Sequence, residues 1–294
     1  MMYEMPELII LIGPPGCGKS SIAQYFYTRS RYEHISSDQI REELFGDVNY
    51  QGDNDRVFYE MRKRSIDALN KGLSVVYDAT NMTRKDRSGV LKECPAWVKK
   101  VALVVWAPVQ TCIERDQKRN RTVGKEVIYK MLKRFEAPYY DEGFDEIKFE
   151  NNSTLQFIDY ASYISKIIDI PQDNPHHTLS LKEHCERTGN ALRKHGVLFN
   201  FVGRYHDIGK ALTKTFTDTK GNPTDVAHYY GHAGMGAYMS YGLLPELSAF
   251  CYVDAPYLIS HHMDPYLNTK YYQNLPLFIK HRIDLIHEAD VSAH

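Results

Sequence analysis

The run "ELIILIGPPGCGKSS", residues 7–21, constrains the fold more than any other stretch: an apolar segment stops at glycines and prolines, then resumes as a helix-compatible sequence. Gly13 to Ser20 reads G-x-x-x-x-G-K-[ST] in the context that pattern requires, after a strand and before a helix. Gly13, Gly16 and Gly18 let backbone N–H groups wrap phosphate oxygens, and the helix N-terminus adds its positive dipole end. Lys19 is then placed for the outer phosphates and Ser20 for Mg²⁺, with Pro14, Cys17 and Ser21 completing the loop. The expected cofactor is ATP or another nucleoside triphosphate with Mg²⁺. The bland alternative is a tight strand-to-helix turn without a ligand.

Further short apolar runs, "YEHISS", "LSVVYDAT", "KKVALVVWAP" and "EIKFEN", alternate with helical stretches. That order predicts an α/β domain with a mostly parallel sheet and helices on both faces. A chain of 294 residues has room for two domains. Histidine marks the second, since only His34 precedes residue 170. The turn-rich "DIPQDNPHHT" places the junction near residue 172, giving domains 1–172 and 173–294. Helical patterns at 181–195, 197–210, 230–243 and 275–293 predict an all-α second domain.

Composition excludes several classes. With 43% hydrophobic and 25% charged residues the chain is not disordered. No apolar run approaches the roughly 18 residues of a membrane span. Five cysteines without a CxxC pair predict a reducing, cytoplasmic setting, and the acidic approach to the first apolar run argues against a signal peptide. A net charge of −1 leaves contacts with nucleic acid to a local cluster: Arg115, Lys118, Arg119, Arg121, Lys125, Lys130, Lys133 and Arg134.

Parallel sheets present their chemistry at the carboxyl ends of strands. After the second run, Asp38 either caps the helix "DQIREELFG" or serves as general base on an acceptor hydroxyl. Arg41, three residues on, shares that face and suits a substrate phosphate. Asp78 ends the third run, with Asn81 beside it. Arg115 and Arg119, four apart, either close over a transferring phosphoryl group or form a solvated charged face. Together these residues resemble the phage-type polynucleotide 5′-kinases and their bacterial end-healing relatives over about residues 7–150. The resemblance implies Asp38 as base, Arg41 on the acceptor phosphate, Asp78 and Asn81 at a strand end, and Arg115 and Arg119 in a lid. "TVGKEVI" departs from it, where relatives often carry a proline. The wider family includes kinases of small metabolites.

The histidines after residue 170 fall at His184, His206 beside Asp207, His232, and His261–His262, followed by Asp290. Each alone is an ordinary packed or surface histidine. As a set, on several helices, they form mixed N/O sites suited to Mn²⁺, Fe²⁺, Co²⁺, Ni²⁺ or Zn²⁺. Neighbouring helical residues point about 100° apart, so His206 and Asp207 share a site only at a helix end or if the carboxylate bridges two ions. Two ions can polarise a phosphoryl oxygen for hydrolysis. The strings "NPHHTLSLKEH", "HDIGK", "GH", "I-x-HH" and "EAD" resemble the HD-domain phosphohydrolases over about residues 173–294. That resemblance implies His184, His206, Asp207 and Asp290 as one metal site, and His232 with His261, favoured over His262, as a second. Lys210 either reaches the scissile phosphate or is a solvated lysine. His177 is placed at the pocket. His176, His195, His228, His281, His287 and His294 are assigned to surface or packing.

A 5′-kinase joined to a phosphoesterase suggests a bifunctional enzyme of nucleic-acid end healing. It would act on RNA or DNA ends beside a separate ligase, with no membrane role and the oligomeric state open. No Asp-x-Asp-Gly-Thr phosphatase string occurs, so the HD half would treat the 3′-phosphate or 2′,3′-cyclic end. The alternatives are a nucleoside or metabolite kinase with a nucleotide phosphohydrolase, and an ATP-gated binding or regulatory module.

Overall fold

The computed structural model describes residues 5–29, 31–119, 121–175 and 178–293. Two compact units emerge, Met1–Ile128 with Pro138–Ser153, and Tyr129–Ala137 with Thr154–His294. No helix among the described residues is long and apolar enough to cross a membrane.

The first unit holds β1 (Glu7–Ile12), α1 (Lys19–Tyr27), β2 (Tyr32–Ser36), α2 (Ser37–Phe45), α3 (Asn54–Asn70), β3 (Ser74–Asp78), α4 (Arg84–Glu93), β4 (Lys99–Trp106), α5 (Val109–Gln117), the start of α6 (Lys125–Lys133) and β5 (Glu146–Asn151). The strands form one parallel sheet in the order β2-β3-β1-β4-β5. Ile9 and Leu11 join Val76, Val101, Leu103 and Val105 in a buried cluster with Ala23 of α1 and Cys112 of α5. Their neighbours Leu8 and Ile10 point to the opposite face, in register with Val75 and Tyr77, and are equally buried. A central parallel strand covered on both sides reads as the unbroken apolar run seen in β1. Because the chain leaves β1 for β2 on one side and reaches β4 on the other, the carboxyl ends of β1 and its neighbours border a crevice.

The β3–α4 turn at that crevice is fixed by a buried ion pair. Arg87, with no exposed surface, donates from Nε and Nη2 to Glu142 at 2.7 Å each, and from Nη1 to the Asn81 carbonyl at 3.0 Å. Thr83 and Asp86 close a capping box over the start of α4.

The second unit holds the end of α6, α7 (Phe157–Ile167), α8 (Leu181–Leu192), α9 (Val197–Tyr205), α10 (Lys210–Thr213), β6 (Thr215–Thr217), β7 (Pro223–His228), α11 (His232–Ser240), α12 (Asp254–His261), α13 (Asp264–Leu267), α14 (Lys270–Gln273) and α15 (Leu277–Ser292). The unit is therefore mainly, but not wholly, helical. β6 and β7 pair as an antiparallel hairpin, its turn held by Asp218, whose carboxylate accepts from the Lys220 and Asn222 amides at 2.8 Å each. The units also part at Ser153/Thr154 rather than near residue 172. The reason is α7: its Tyr160 and Ile164 are buried, and the Tyr160 hydroxyl donates to the Met239 carbonyl at 3.1 Å. Phe135 brings its segment along, its ring 5.7 Å from that of Tyr238.

Helices α8 and α9 touch through glycine. A Cβ added at Gly203 would lie 2.8 Å from the Gly189 Cα, so only two bare backbones can cross this closely.

Replacing Arg87 by methionine should cost about 3 kcal/mol, because the buried Glu142 carboxylate would lose its two-bond partner and keep only Arg84 at 3.7 Å and the Tyr139 amide at 3.1 Å. Urea unfolding of the variant against the parent measures this. A cost below about 1 kcal/mol would show that the pair does not anchor the turn.

Candidate functional site

At the end of β1 the glycine loop turns through Gly18 in a left-handed conformation, φ 105°. A Cβ there would fall 1.6 Å from Asn152 Nδ2, which donates to the Cys17 carbonyl at 2.9 Å. Sequence reasoning missed Asn152, which no motif marks. Lys19 lies inside the loop, its ammonium donating to the Gly13 and Pro14 carbonyls at 2.7 and 3.0 Å. Ser20 and Ser21 are exposed on the first turn of α1. Cys17 is fully buried, and burial pushes its thiol up, which suits a space-filling residue.

Asp38 is not the helix cap. Ser36 is, accepting from the Gln39 amide, and Asp38 sits within the first turn of α2 with its carboxylate half exposed. Its Oδ1 takes Arg41 Nη1 at 3.2 Å and Arg121 Nη1 at 2.7 Å. Arg41 is 5% exposed, and burial lowers its pKa. It donates from Nη2 to Asn54 Oδ1 at 3.0 Å. Asp78 ends β3 and meets His34 Nε2 at 3.0 Å. Asn81 donates to the Leu11 carbonyl at 2.7 Å, tying the end of β3 to β1.

Arg115 and Arg119 do not share a helical face. Helix α5 ends at Gln117, and buried Asp116 draws the chain away by accepting from the Val123 and Gly124 amides at 3.0 and 2.9 Å. Arg115 donates to the Asn152 carbonyl at 3.0 Å, whereas Arg119 is exposed beyond the helix. The arginine that reaches Asp38 is Arg121, which the sequence presents only as one of a basic cluster.

In the second unit, α9 ends at Tyr205, so His206 and Asp207 occupy a helix end where both can face one point. His184 Nε2 lies 3.3 Å from His206 Nε2, 2.9 Å from Asp290 Oδ1 and 3.4 Å from Asp207 Oδ2. Asp207 Oδ1 meets His232 Nε2 at 3.2 Å and His262 Nε2 at 3.6 Å. Two groups result, His184–His206–Asp207–Asp290 and Asp207–His232–His262, each with its candidate ligand atoms within 4.8 Å of one another. Asp207 belongs to both. The second group takes His262 where sequence favoured His261: the His261 ring turns to Asp264, with Nδ1 at 2.8 Å, and packs on Tyr257 and Tyr271. His206, His232 and His262 place Nδ1 within 2.7–2.8 Å of a backbone carbonyl, which presents Nε2 to the carboxylate. Buried imidazoles and carboxylates so arranged fit divalent transition metals.

Lys210 is buried, not solvated, with its ammonium 2.6 Å from Asp207 Oδ2 and 3.1 Å from Gln172 Oε1. His228 stacks on Tyr230 and His195 packs edge-on to Phe199, as structural histidines do. His176, His177 and His294 lie outside the described residues.

Charge follows geometry. Burial alone would lower His184, but hydrogen bonds to the Asp207 and Asp290 carboxylates outweigh it and raise the imidazole to about 9. Burial pushes His232 down to about 4 against the opposing pull of Asp207. Burial would raise Asp207 and Asp290, yet the surrounding cations hold both below the usual carboxylate range.

Residues 8–138 match the family model described as an AAA domain. The chain is 32% identical over 149 residues to transcription factor bHLH140 of Arabidopsis thaliana, covering 48% of this chain and 16% of that protein. It is 27% identical over 176 residues to L-seryl-tRNA(Sec) kinase of Methanococcus maripaludis, covering 56% and 66%. It is also 27% identical over 152 residues to a protein of Acanthamoeba polyphaga mimivirus provisionally named a bifunctional polynucleotide phosphatase/kinase, covering 48% and 32%. The chain thus spans less than two thirds of each relative's length. With the glycine loop at the end of β1, residues 8–138 form a P-loop kinase-like domain.

In chelator-treated protein, protonated His184 stabilises the fold fully below its unfolded value of about 6.5, and that contribution is lost as pH rises through about 9. The thermal midpoint should therefore fall across this window, and fall less in His184→Gln. A flat profile in the parent would contradict the paired, charged imidazole.

Proposed function

We propose that the chain is a bifunctional nucleic-acid end-healing enzyme. Its first unit would be an ATP-dependent polynucleotide 5′-hydroxyl kinase, and its second an HD-type phosphoesterase acting on 3′-phosphate or 2′,3′-cyclic phosphate ends. One observation carries the kinase half: Asp38, half exposed in the first turn of α2 beyond the carboxyl end of β2, lies against Arg41, so a base and a phosphate-binding cation share one turn of helix.

In this reading Asp38 accepts the proton of the acceptor hydroxyl as that oxygen bonds to the γ-phosphorus of ATP. The bond from phosphorus to the β–γ bridging oxygen breaks, and ADP departs. Lys19 and Arg115 face the charge that builds on the transferring group, while Arg41 holds the acceptor's neighbouring phosphate. Mg²⁺, held through Ser20 with Asp78 ordering the site, would neutralise the phosphates.

The esterase half rests on Asp207, which places one oxygen in each histidine group. His184, His206, Asp207 and Asp290 would hold one divalent ion, and Asp207, His232 and His262 another. When bound, such a pair supplies electrophilic polarisation of a phosphoryl oxygen. In this reading Lys210, kept beside Asp207 and Gln172, would turn its ammonium to the substrate phosphate. The polynucleotide acceptor is further supported by the likeness to the protein provisionally named a polynucleotide phosphatase/kinase.

Incubation of 5′-hydroxyl RNA and DNA oligomers, nucleosides and nucleotides with γ-labelled ATP tests the first activity. Label on oligomers is expected, and label on free nucleosides alone would sink the polynucleotide reading. Asp38→Asn should lower transfer about 100-fold or more, as removal of a general base does. His206→Ala should abolish metal-dependent phosphate release from 3′-phosphate or cyclic ends while transfer persists. Loss of both together would show that the two sites are not separate activities.

A further inference from the structure

His184 meets the carboxylates from one side of α8, and an open cleft lies on the other. Glu186, Asn190 and Arg193 follow one another at i, i+4 and i+7, roughly 180–240° around the helix from His184. Asn200 and Arg204 repeat the i, i+4 spacing on α9. These five residues, all polar, line a cleft of about 370 Å³, a volume within the range of small-ligand sites. The glycine crossing shapes it. A Cβ added at Gly189 would lie 2.3 Å from Arg204 Cγ, so the Arg204 stem passes directly over bare backbone. Asn200 Nδ2 donates to the Gly189 carbonyl at 2.8 Å, which leaves its Oδ1 without a partner among the described residues. Arg204 meets the Tyr205 ring, 5.6 Å from its guanidinium carbon. Neither it nor Arg193 has a hydrogen bond or ion pair among the described residues, and Glu186, in the same cleft, pairs with neither.

Two arginines against one glutamate leave a positive charge in excess, and a stem already held by packing loses little freedom when it takes a ligand. Guanidiniums from two separate helices suit an anion with several acceptor oxygens, as a phosphate monoester has. The Glu186 carboxylate and the Asn200 amide oxygen accept hydrogen bonds only, so they suit hydroxyls beside that phosphate rather than a second anion. We propose that this cleft binds a small sugar phosphate, either ribose 5-phosphate itself or the same group within a nucleoside 5′-monophosphate. Such a ligand would reach from the end of α8 to α9 and brace the glycine crossing from outside. Gly203 of that crossing also holds His206, whose Nδ1 lies 2.8 Å from the Gly203 carbonyl, so an occupied cleft bears on a member of the first histidine group. The cleft is separate from both reactions proposed above and depends on neither.

Equilibrium dialysis of the chelator-treated chain against labelled ribose 5-phosphate tests the assignment, with inorganic phosphate and adenosine 5′-monophosphate as competitors. Ribose 5-phosphate should bind more tightly than inorganic phosphate. Arg193→Met and Arg204→Met should each weaken it about tenfold or more, the scale of a lost charge-assisted hydrogen bond. Lys19→Met, in the glycine loop, should leave it unchanged, and Glu186→Gln should narrow the preference over inorganic phosphate. Displacement by adenosine 5′-monophosphate at lower concentration than by unlabelled ribose 5-phosphate assigns the nucleotide as ligand; the reverse order assigns the sugar phosphate alone. Should Arg204→Met fail to fold because its stem packs on Gly189, the exposed Arg193 carries the comparison. Hydrogen exchange places the site independently, since protection should rise in both α8 and α9 on binding. Absence of binding to the parent, unchanged binding in Arg193→Met, or a loss in Lys19→Met overturns the proposal.

Discussion

Burial of a single carboxylate, that of Asp207, dictates what the helices around it must carry. At 2% exposure it has surrendered its hydration, and an unpaired charge so placed would cost more than a domain's whole stability. Four imidazoles and the Lys210 ammonium replace the lost water, delivered by α8, the turn after α9, and the segments at α10, α11 and α12. One acid sorts its neighbours into opposite states. His184 shares two carboxylates and stays charged, whereas His232, buried beside His262 and Lys210, becomes neutral. A mixture of charged and neutral imidazoles around a fixed acid is a site organised before any ligand arrives.

Buried acids also organise the first unit, though as scaffolding. Glu142 holds Arg87 and, through it, the carbonyl of Asn81; Asp116 holds a loop through two amides; Asp78 is paired with His34. Each sits near the carboxyl edge of the sheet, where loops must be rigid enough to define a crevice and backbone ladders no longer reach. Asp38 differs in being half exposed and paired only with cations on a helix and a loop. That contrast in exposure sets Asp38 apart from the acids placed to hold, in keeping with the base role proposed for it.

The sequence was most legible where local chemistry and fold agree. "GPPGCGKS" after an apolar run predicted both the turn and its position, and alternation of Val- and Ile-rich runs predicted the parallel sheet. Helix phase was the blind spot. His261 and His262 differ by about 100° around α12, and only the packing of that helix on its neighbours selects the second. Arg115 and Arg119 looked like one face because nothing local shows that Asp116 bends the chain after Gln117. Asp38 read as a possible cap, but the helix starts earlier, at Ser37, and Ser36 takes that place because β2 stops there. The junction near 172 was read from turn residues, of which 169–175 lie between α7 and α8 outside any helix. What clusters with what, however, was decided by the buried ring of Tyr160 well before it.

The glycine contact between α8 and α9 bears on the order in which the second unit assembles. His184, His206 and Asp207 lie on or just beyond two helices joined by a short connection, a hairpin that needs little loop closure to form. Asp290 arrives from α15, at the far end of the chain. α15 therefore supplies the member of the first histidine group that lies outside that hairpin, and an ion held by all four residues would favour the packed α15 over a detached one by mass action. Hydrogen exchange should register this as protection of α15 that rises with divalent cation while the α8–α9 crossing changes little; equal responses would mean the whole unit closes as one.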